Sequence, residues 1–275
     1  MKKRILTAVV ALPLLLGILL FLPPVYTSVL LAAMCAIAAY ELLWGTGMVK
    51  HPRLIVYTMI AAALVSVWCY NGRNYPWGLA GVLVFSGLLF AELLISKAQL
   101  HFDNVMLSVA GGVMIPFLLT AIVRIRNTEL GQYMVLLPFV LAFASDTGAY
   151  FIGIKFGKHK LAPTISPNKT IEGAVGGVIT SIIGALLFAL VLDKCFSLQV
   201  NYDFALVYGT LGSIGSVFGD LAFSAIKRQT GIKDYGNLIP GHGGVLDRFD
   251  SMTVVAPITE VLLILIPIAE MATNG

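Results

Sequence analysis

Residues 173–192 read GAVGGVITSIIGALLFALVL, twenty positions without one ionisable side chain. As an α-helix such a stretch rises about 30 Å, the thickness of a bilayer's hydrocarbon core. Its glycines, Gly173, Gly176 and Gly177, recur at three- and four-residue spacing, which lets helix backbones approach closely in lipid. Working outward, eight further stretches have similar character: residues 5–22, 25–43, 54–70, 77–95, 106–123, 133–154, 204–226 and 252–269. The whole chain of 275 residues is 58% hydrophobic and 12% charged, with mean hydropathy +0.91. A soluble domain carries about 25% charge, so a water-soluble fold would need a core larger than this chain can enclose. Backbone in lipid must satisfy its own hydrogen bonds, and the alternating pattern of a β-barrel is absent. The expected fold is therefore all-α, a polytopic membrane helix bundle of about nine transmembrane helices.

Basic residues orient such a bundle. With nine spans, one side holds the N-terminus and the loops after spans two, four, six and eight. That side carries Lys2, Lys3, Arg4, Lys50, Arg53, Lys97, Lys155, Lys158, Lys160, Lys169, Lys227, Arg228, Lys233 and Arg248, which is 14 of the 18 basic residues. The other side has Arg73, Arg124, Arg126 and Lys194. The bias predicts a cytoplasmic N-terminus and a cytoplasmic loop after span eight. The net charge of +4 follows from this topology, so no nucleic acid partner is expected. Lys2-Lys3-Arg4 before an apolar run has the outline of a signal peptide, but the run ends in Leu22-Pro23-Pro24 without a small-residue cleavage site. A retained first helix is expected. Cys35, Cys69 and Cys195 have no metal-binding spacing and read as small hydrophobes.

The two halves differ. Residues 1–132 hold few polar groups, mainly Glu41 and Glu92 near span ends, and read as transmembrane scaffold. Residues 133–275 carry the deeper polar residues and more of the glycines, and read as the functional core, with cytoplasmic loops at 155–172 and 227–250. Span eight places Gly209, Gly212, Ser213, Gly215, Ser216 and Gly219 on closely spaced positions, for which helix packing alone is a sufficient explanation.

Within residues 224–250 fall four cations, three carboxylates, a histidine and a cluster of glycines. So many ionisable groups between lipid-grade segments call for a functional explanation. Asp220, Ser224, Lys227 and Arg228 lie at i, i+4, i+7 and i+8, one helical face. Asp220 sits nearly two turns inside the span, where an unneeded charge costs roughly 2.5 kcal/mol or more. A plain buried pair with Lys227 is the competing explanation. Asp247 and Asp250 precede span nine, spaced either for a shared Mg²⁺ or for helix capping. Gly241-His242-Gly243-Gly244 offers backbone N–H groups that suit a phosphate. His242 has three open roles: phosphate ligand, acid, or cap of the turn. The loop at 155–172 adds Lys155, Lys158, His159, Lys160 and Lys169. Asp146 lies about two turns inside span six. A Walker A sequence and a G-x-G-x-x-G after a strand are both absent, which excludes the soluble nucleotide-binding folds.

These residues resemble the phosphatidate cytidylyltransferase (CDP-diacylglycerol synthase) family. The resemblance rests on Ser224-x-apolar-Lys227-Arg228, then Lys233-Asp234, then His242-Gly243-Gly244-apolar-x-Asp247-Arg248-x-Asp250, matched without a gap. Upstream, Ser145-Asp146-Thr147-Gly148-Ala149-Tyr150 and Ser166-Pro167-x-Lys169-Thr170-x-Glu172-Gly173 also resemble it. Asn168 stands where many members have Lys. The likeness is strong in the second half; in the first half it extends only to hydrophobic architecture.

The resemblance implies a Mg²⁺-dependent reaction of CTP with phosphatidic acid, giving CDP-diacylglycerol and pyrophosphate for phospholipid biosynthesis. The implied partners are the two substrates, membrane lipid and a second copy in a homodimer, at a bacterial-style inner membrane with the site facing the cytoplasm. On that reading Asp220 and Asp247 hold the metal, Asp250 is a further ligand or its supporting partner, and Asp146 is the ligand of a second cation. Lys227, Arg228, Lys233 and Arg248 neutralise CTP and pyrophosphate. His242, Gly243 and Gly244 cradle phosphate, Ser224 supports binding, and Lys169 meets the lipid phosphate. Two rivals stay in view: an ion-coupled transporter built on Asp146 and Asp220, and a CTP-dependent polyprenol kinase.

Overall fold

Prolines open the early helices. Pro24 and Pro52 occupy first helical positions, where a missing N–H is no loss. The computed structural model describes residues 2–72, 75–96, 100–239, 241 and 243–271; the side chains of 2–8 and 10–12 stand outside that description. His242 and Lys97, both named from the sequence, are therefore outside the described residues, as is Arg73.

The helices are α1 (Lys2–Phe21), α2 (Pro24–Tyr40), α3 (Pro52–Asn71), α4 (Tyr75–Ile95), α5 (Phe102–Val109), α6 (Ile115–Leu119), α7 (Ala121–Arg126), α8 (Gly131–Met134) and α9 (Leu137–Phe156). There follow α10 (Ile171–Phe196), α11 (Tyr202–Gln229), α12 (Leu246–Phe249) and α13 (Met252–Leu265). Wide π-helical turns follow α2 at Glu41–Gly45 and α5 at Ala110–Met114. Two short antiparallel pairs complete the chain. Strands β1 (Lys160–Ala162) and β2 (Ser166–Thr170) form a hairpin, and β3 (Gln199–Val200) pairs with β4 (Ala269–Glu270).

Among the described residues, seven helices are long and apolar enough to cross a membrane: Pro24–Gly45, Pro52–Asn71, Tyr75–Ile95, Phe102–Arg126, Gly131–Phe156, Ile171–Phe196 and Tyr202–Gln229. They coincide with the second to eighth expected stretches, and the molecule is a polytopic helical membrane protein. The first stretch forms the 20-residue α1. The ninth is shorter than expected: α13 has 14 residues, about 21 Å at the helical rise. It stops because Pro267 disfavours the helical region for the residue before it. Ile266 accordingly sits at φ −143°.

The chain divides into two compact units. One comprises Met1–Asn127 with Ile226–Phe249, the other Thr128–Ala225 with Asp250–Gly275. This partition differs from a division at residue 132, because the loop after α11 belongs with the N-terminal helices.

In the first unit, reciprocal bonds tie α2 to α3. Ser28 Oγ donates to the Ser66 carbonyl at 3.2 Å, and Ser66 Oγ to the Ser28 carbonyl at 2.8 Å. Arg126 Nε donates to the Leu19 carbonyl at 2.8 Å, which joins α7 to α1.

In the second unit the expected glycine packing is present. On α10, Gly173, Gly176 and Gly177 lie against Ala149, Ile152 and Ser145 of α9, so close that a Cβ would collide. The opposite face of α10 exposes Val175, Ile179, Ile183 and Leu187. Small residues thus line the interior and bulky ones face outward, as lipid as solvent favours. On α11, Gly209 meets Ile182, Gly212 meets Leu141, Gly215 meets Ile258, and Gly219 meets the backbone of Asp250 and Ser251.

Candidate functional site

In the second unit the polar groups gather around Asp220. The β1–β2 hairpin pairs Lys160 with Thr170 and runs directly into α10. Thr170 Oγ1 caps that helix by accepting from Gly173 N at 3.1 Å. Glu172, in the first turn, accepts from Lys158 N at 3.0 Å and His159 N at 3.2 Å, and its Oε1 lies 2.6 Å from His159 Nδ1. The hairpin root is thereby pinned to the helix start, and Lys169 is delivered one residue before the cap. Lys169 Nζ reaches Asp220 Oδ2 at 2.5 Å, with both side chains half-buried. The other oxygen, Asp220 Oδ1, accepts from Ser224 Oγ at 3.1 Å.

One turn earlier on α11, Ser216 Oγ donates to Asp146 Oδ1 of α9 at 3.0 Å. The neighbouring Ser145 and Ser213 hydroxyls are 2.7 Å apart. Asp146 lies within electrostatic reach of both Asp220 and Lys169. The structure therefore brings together Asp146, Lys169, Asp220 and Ser224. It adds Ser216, which from sequence was only a small packing residue. Asp250 Oδ1 accepts from Ser251 N at 2.7 Å, and the Asp250 carbonyl lies against Gly219, one residue before Asp220.

In the first unit the second cluster forms around Asp247. Lys227 Nζ and Asp247 Oδ1 pair at 2.9 Å, both side chains buried (11% and 2% exposed). Asp247 Oδ2 accepts from Tyr235 N at 2.8 Å and Gly244 N at 3.0 Å. Lys227 Nζ also stands 5.4 Å above the Tyr235 ring. The primary partners of Lys227 and Asp247 are thus each other and the loop backbone. Gly244, expected to offer its N–H to a phosphate, donates it to Asp247 instead. The reason is proximity: a carboxylate three residues on satisfies an N–H that burial would otherwise orphan. Gly243 lies at φ +87°, a conformation that glycine adopts without strain. Arg228, Lys233 and Arg248 are exposed on this unit.

A residue that the sequence left in the scaffold belongs here as well. Glu41, 3% exposed, accepts from Val245 N at 3.0 Å and Leu246 N at 2.8 Å. The available signal was a carboxylate at the end of an otherwise uncharged span.

Mg²⁺ prefers oxygen and is commonly held by one or two carboxylates together with substrate phosphates. Asp146 and Asp220 fit that requirement. Asp247 Oδ1 bonds Lys227, and a carboxylate oxygen has room for a second partner. Among the described residues, no group of three or more His, Cys, Asp or Glu side chains is placed to hold a metal.

Comparison with known proteins agrees with these motifs. Residues 2–266 match the model of the cytidylyltransferase family. The chain is 33% identical to the phosphatidate cytidylyltransferase of Haemophilus influenzae, covering 94% of this chain and 96% of that one. It is 34% identical to the Bacillus subtilis protein of that name, covering 96% and 98%, and 36% identical to that of Staphylococcus haemolyticus, covering 96% and 99%. A match that runs through both units, the hairpin lysine and the glycine loop included, places this chain in the cytidylyltransferase family.

Proposed function

We propose that the chain transfers the cytidylyl group of CTP to phosphatidic acid, giving CDP-diacylglycerol and pyrophosphate. The observation that carries this reading is the gap-free signature at residues 224–250, within a chain whose relatives of that name align along nearly its whole length. Two polyanions must meet, one from water and one from the bilayer, and their mutual repulsion is the principal obstacle. Lys169 is the cation that would meet the lipid phosphate, and Asp220 holds its side chain in place. Lys233, Arg228 and Arg248, exposed beside the glycine loop, would take the triphosphate.

The lipid phosphate has a second pKa of about 6 and is mostly ionised near neutrality, so no strong base is needed. One of its oxygens forms a bond to the α-phosphorus in line. The bond from that phosphorus to the bridging oxygen breaks, and pyrophosphate leaves with the electron pair. Asp146, Asp220, Asp247 and Asp250 are the residues that would hold Mg²⁺ and any second cation. When bound, the metal supplies charge neutralisation at the phosphoryl oxygens. A cytoplasmic N-terminus and cytoplasmic loops at 155–172 and 227–250 complete the proposal, with the inner membrane as location and a homodimer as assembly.

The test uses purified protein in mixed micelles with phosphatidic acid, Mg²⁺ and CTP labelled at the α-phosphate. Label entering a lipid product supports the reading. Release of CDP with a supplied polyprenol, and no labelled lipid, replaces it with the kinase.

A further inference from the structure

Glu41 is a buried carboxylate at the end of α2, in the π-helical turn Glu41–Gly45. A carboxylate there is costly unless its lone pairs are filled. They are filled from far along the chain, by Val245 N and Leu246 N. The fit is close on both sides. A Cβ at Gly236 or at Gly244 would run into the Glu41 carboxylate, and one at Gly45 would run into the Tyr235 carbonyl. Two carboxylates therefore hold the ends of one loop. Asp247 takes Tyr235 N and Gly244 N, and Glu41 takes the next two amides. Between these anchors Asn237, Leu238 and Gly241 are exposed, and Ile239 bonds the Gly243 carbonyl. The loop follows the span Tyr202–Gln229 in the chain.

We infer that Glu41 is a positioning residue for the nucleotide: it fixes the loop of residues 235–247, and through it the exposed cations at 233 and 248 that receive CTP. The inference rests on the cytidylyl-transfer reading. Glu41 acts through the loop backbone and touches no substrate. Glu41 opens the π-helical turn Glu41–Gly45, whose Gly45 also meets the loop at the Tyr235 carbonyl. A purely packing role would be served by Leu or Met at that point, without a buried carboxylate or glycines at 236 and 244 to accommodate it.

Glu41→Gln keeps the shape but turns one acceptor into an NH₂ facing a backbone N–H. The expected result in the labelled-CTP assay is a KM for CTP raised about tenfold, with KM for phosphatidic acid within twofold of the parent and the thermal midpoint little changed. Glu41→Asp restores both acceptors at shorter reach and should recover part of the loss. Gly236→Ala crowds the same carboxylate from the other side and should raise KM for CTP likewise. The double variant should fall well short of the summed effects. Unchanged KM for CTP in Glu41→Gln overturns the inference, as does an equal loss in both KM values together with the thermal midpoint. If Glu41→Gln does not fold, the same split in Gly236→Ala decides. Absence of lipid labelling in the parent protein would instead refute the underlying reading, so the two failures are distinguishable.

Discussion

Lys227 and Asp247 illustrate how a charged residue can be functional in sequence and structural in its contacts. Removing one member of a buried pair strands the other. Asp247→Asn should therefore cost about 3–5 kcal/mol, measured as a lowered unfolding midpoint in detergent, in addition to lost turnover. Replacing both, as Lys227→Met with Asp247→Leu, should recover much of that stability while activity stays lost. A double variant as unstable as the single one would show that the loop amides at 235 and 244, left without acceptors, dominate the cost. Asp220 differs, being half-buried, with Lys169 on one oxygen and Ser224 on the other. Asp220→Asn should leave folding nearly intact and lower turnover by about 10²–10³, read as label reaching lipid. Retained turnover with Asn at 220 would remove it from the reacting centre. Lys169→Met should behave similarly, with KM for phosphatidic acid rising more than KM for CTP.

At the scale of elements, glycine does two separate jobs. On α10 it is a spacer: a side chain at Gly176 would enter Ile152 of α9. Gly176→Val should destabilise by about 1–3 kcal/mol, visible as a lower midpoint. Gly87→Ala on α4 is the control, because nothing lies within 4 Å of the added methyl. It should be neutral or slightly stabilising. An equal loss at both positions would mean that close packing against α9 is not what governs Gly176. In sequence the hairpin β1–β2 has the character only of a basic loop. Its strands are too short for a periodic signal, and they form because Glu172 and the Thr170 cap fix their root to α10. The shortened α13 was legible in retrospect at Pro267, since a proline ends the helix at the residue before it.

At the scale of the whole molecule, the basic-residue bias makes a directional statement. With a cytoplasmic N-terminus, the end of α10 near Lys194 lies on the far side. Cys195 is exposed there, whereas Cys35 and Cys69 are buried. A membrane-impermeant maleimide added to intact spheroplasts should label Cys195 and neither of the others. Labelling of Cys195 only after lysis would reverse the orientation. The two compact units also change what the halves mean. The signature residues are distributed over both, and the N-terminal helices own part of the glycine loop through Glu41.

Composition and periodicity alone determined that this chain is a helical membrane protein. Burying backbone in lipid leaves few solutions, and among the described residues seven of the expected spans appear as helices of sufficient length. The local motifs likewise single out the candidate residues, since cations, carboxylates and glycines are rare in such a sequence and therefore conspicuous. Pairing was decided only by tertiary structure. That Lys169 meets Asp220, that Asp146 meets Ser216, and that Gly244 spends its N–H on Asp247 depend on contacts between residues far apart or on loop geometry without a period. Glu41 is the clearest case. Its partners lie 204 and 205 residues away. The cost of burying a carboxylate announces that partners must exist, but it does not name them.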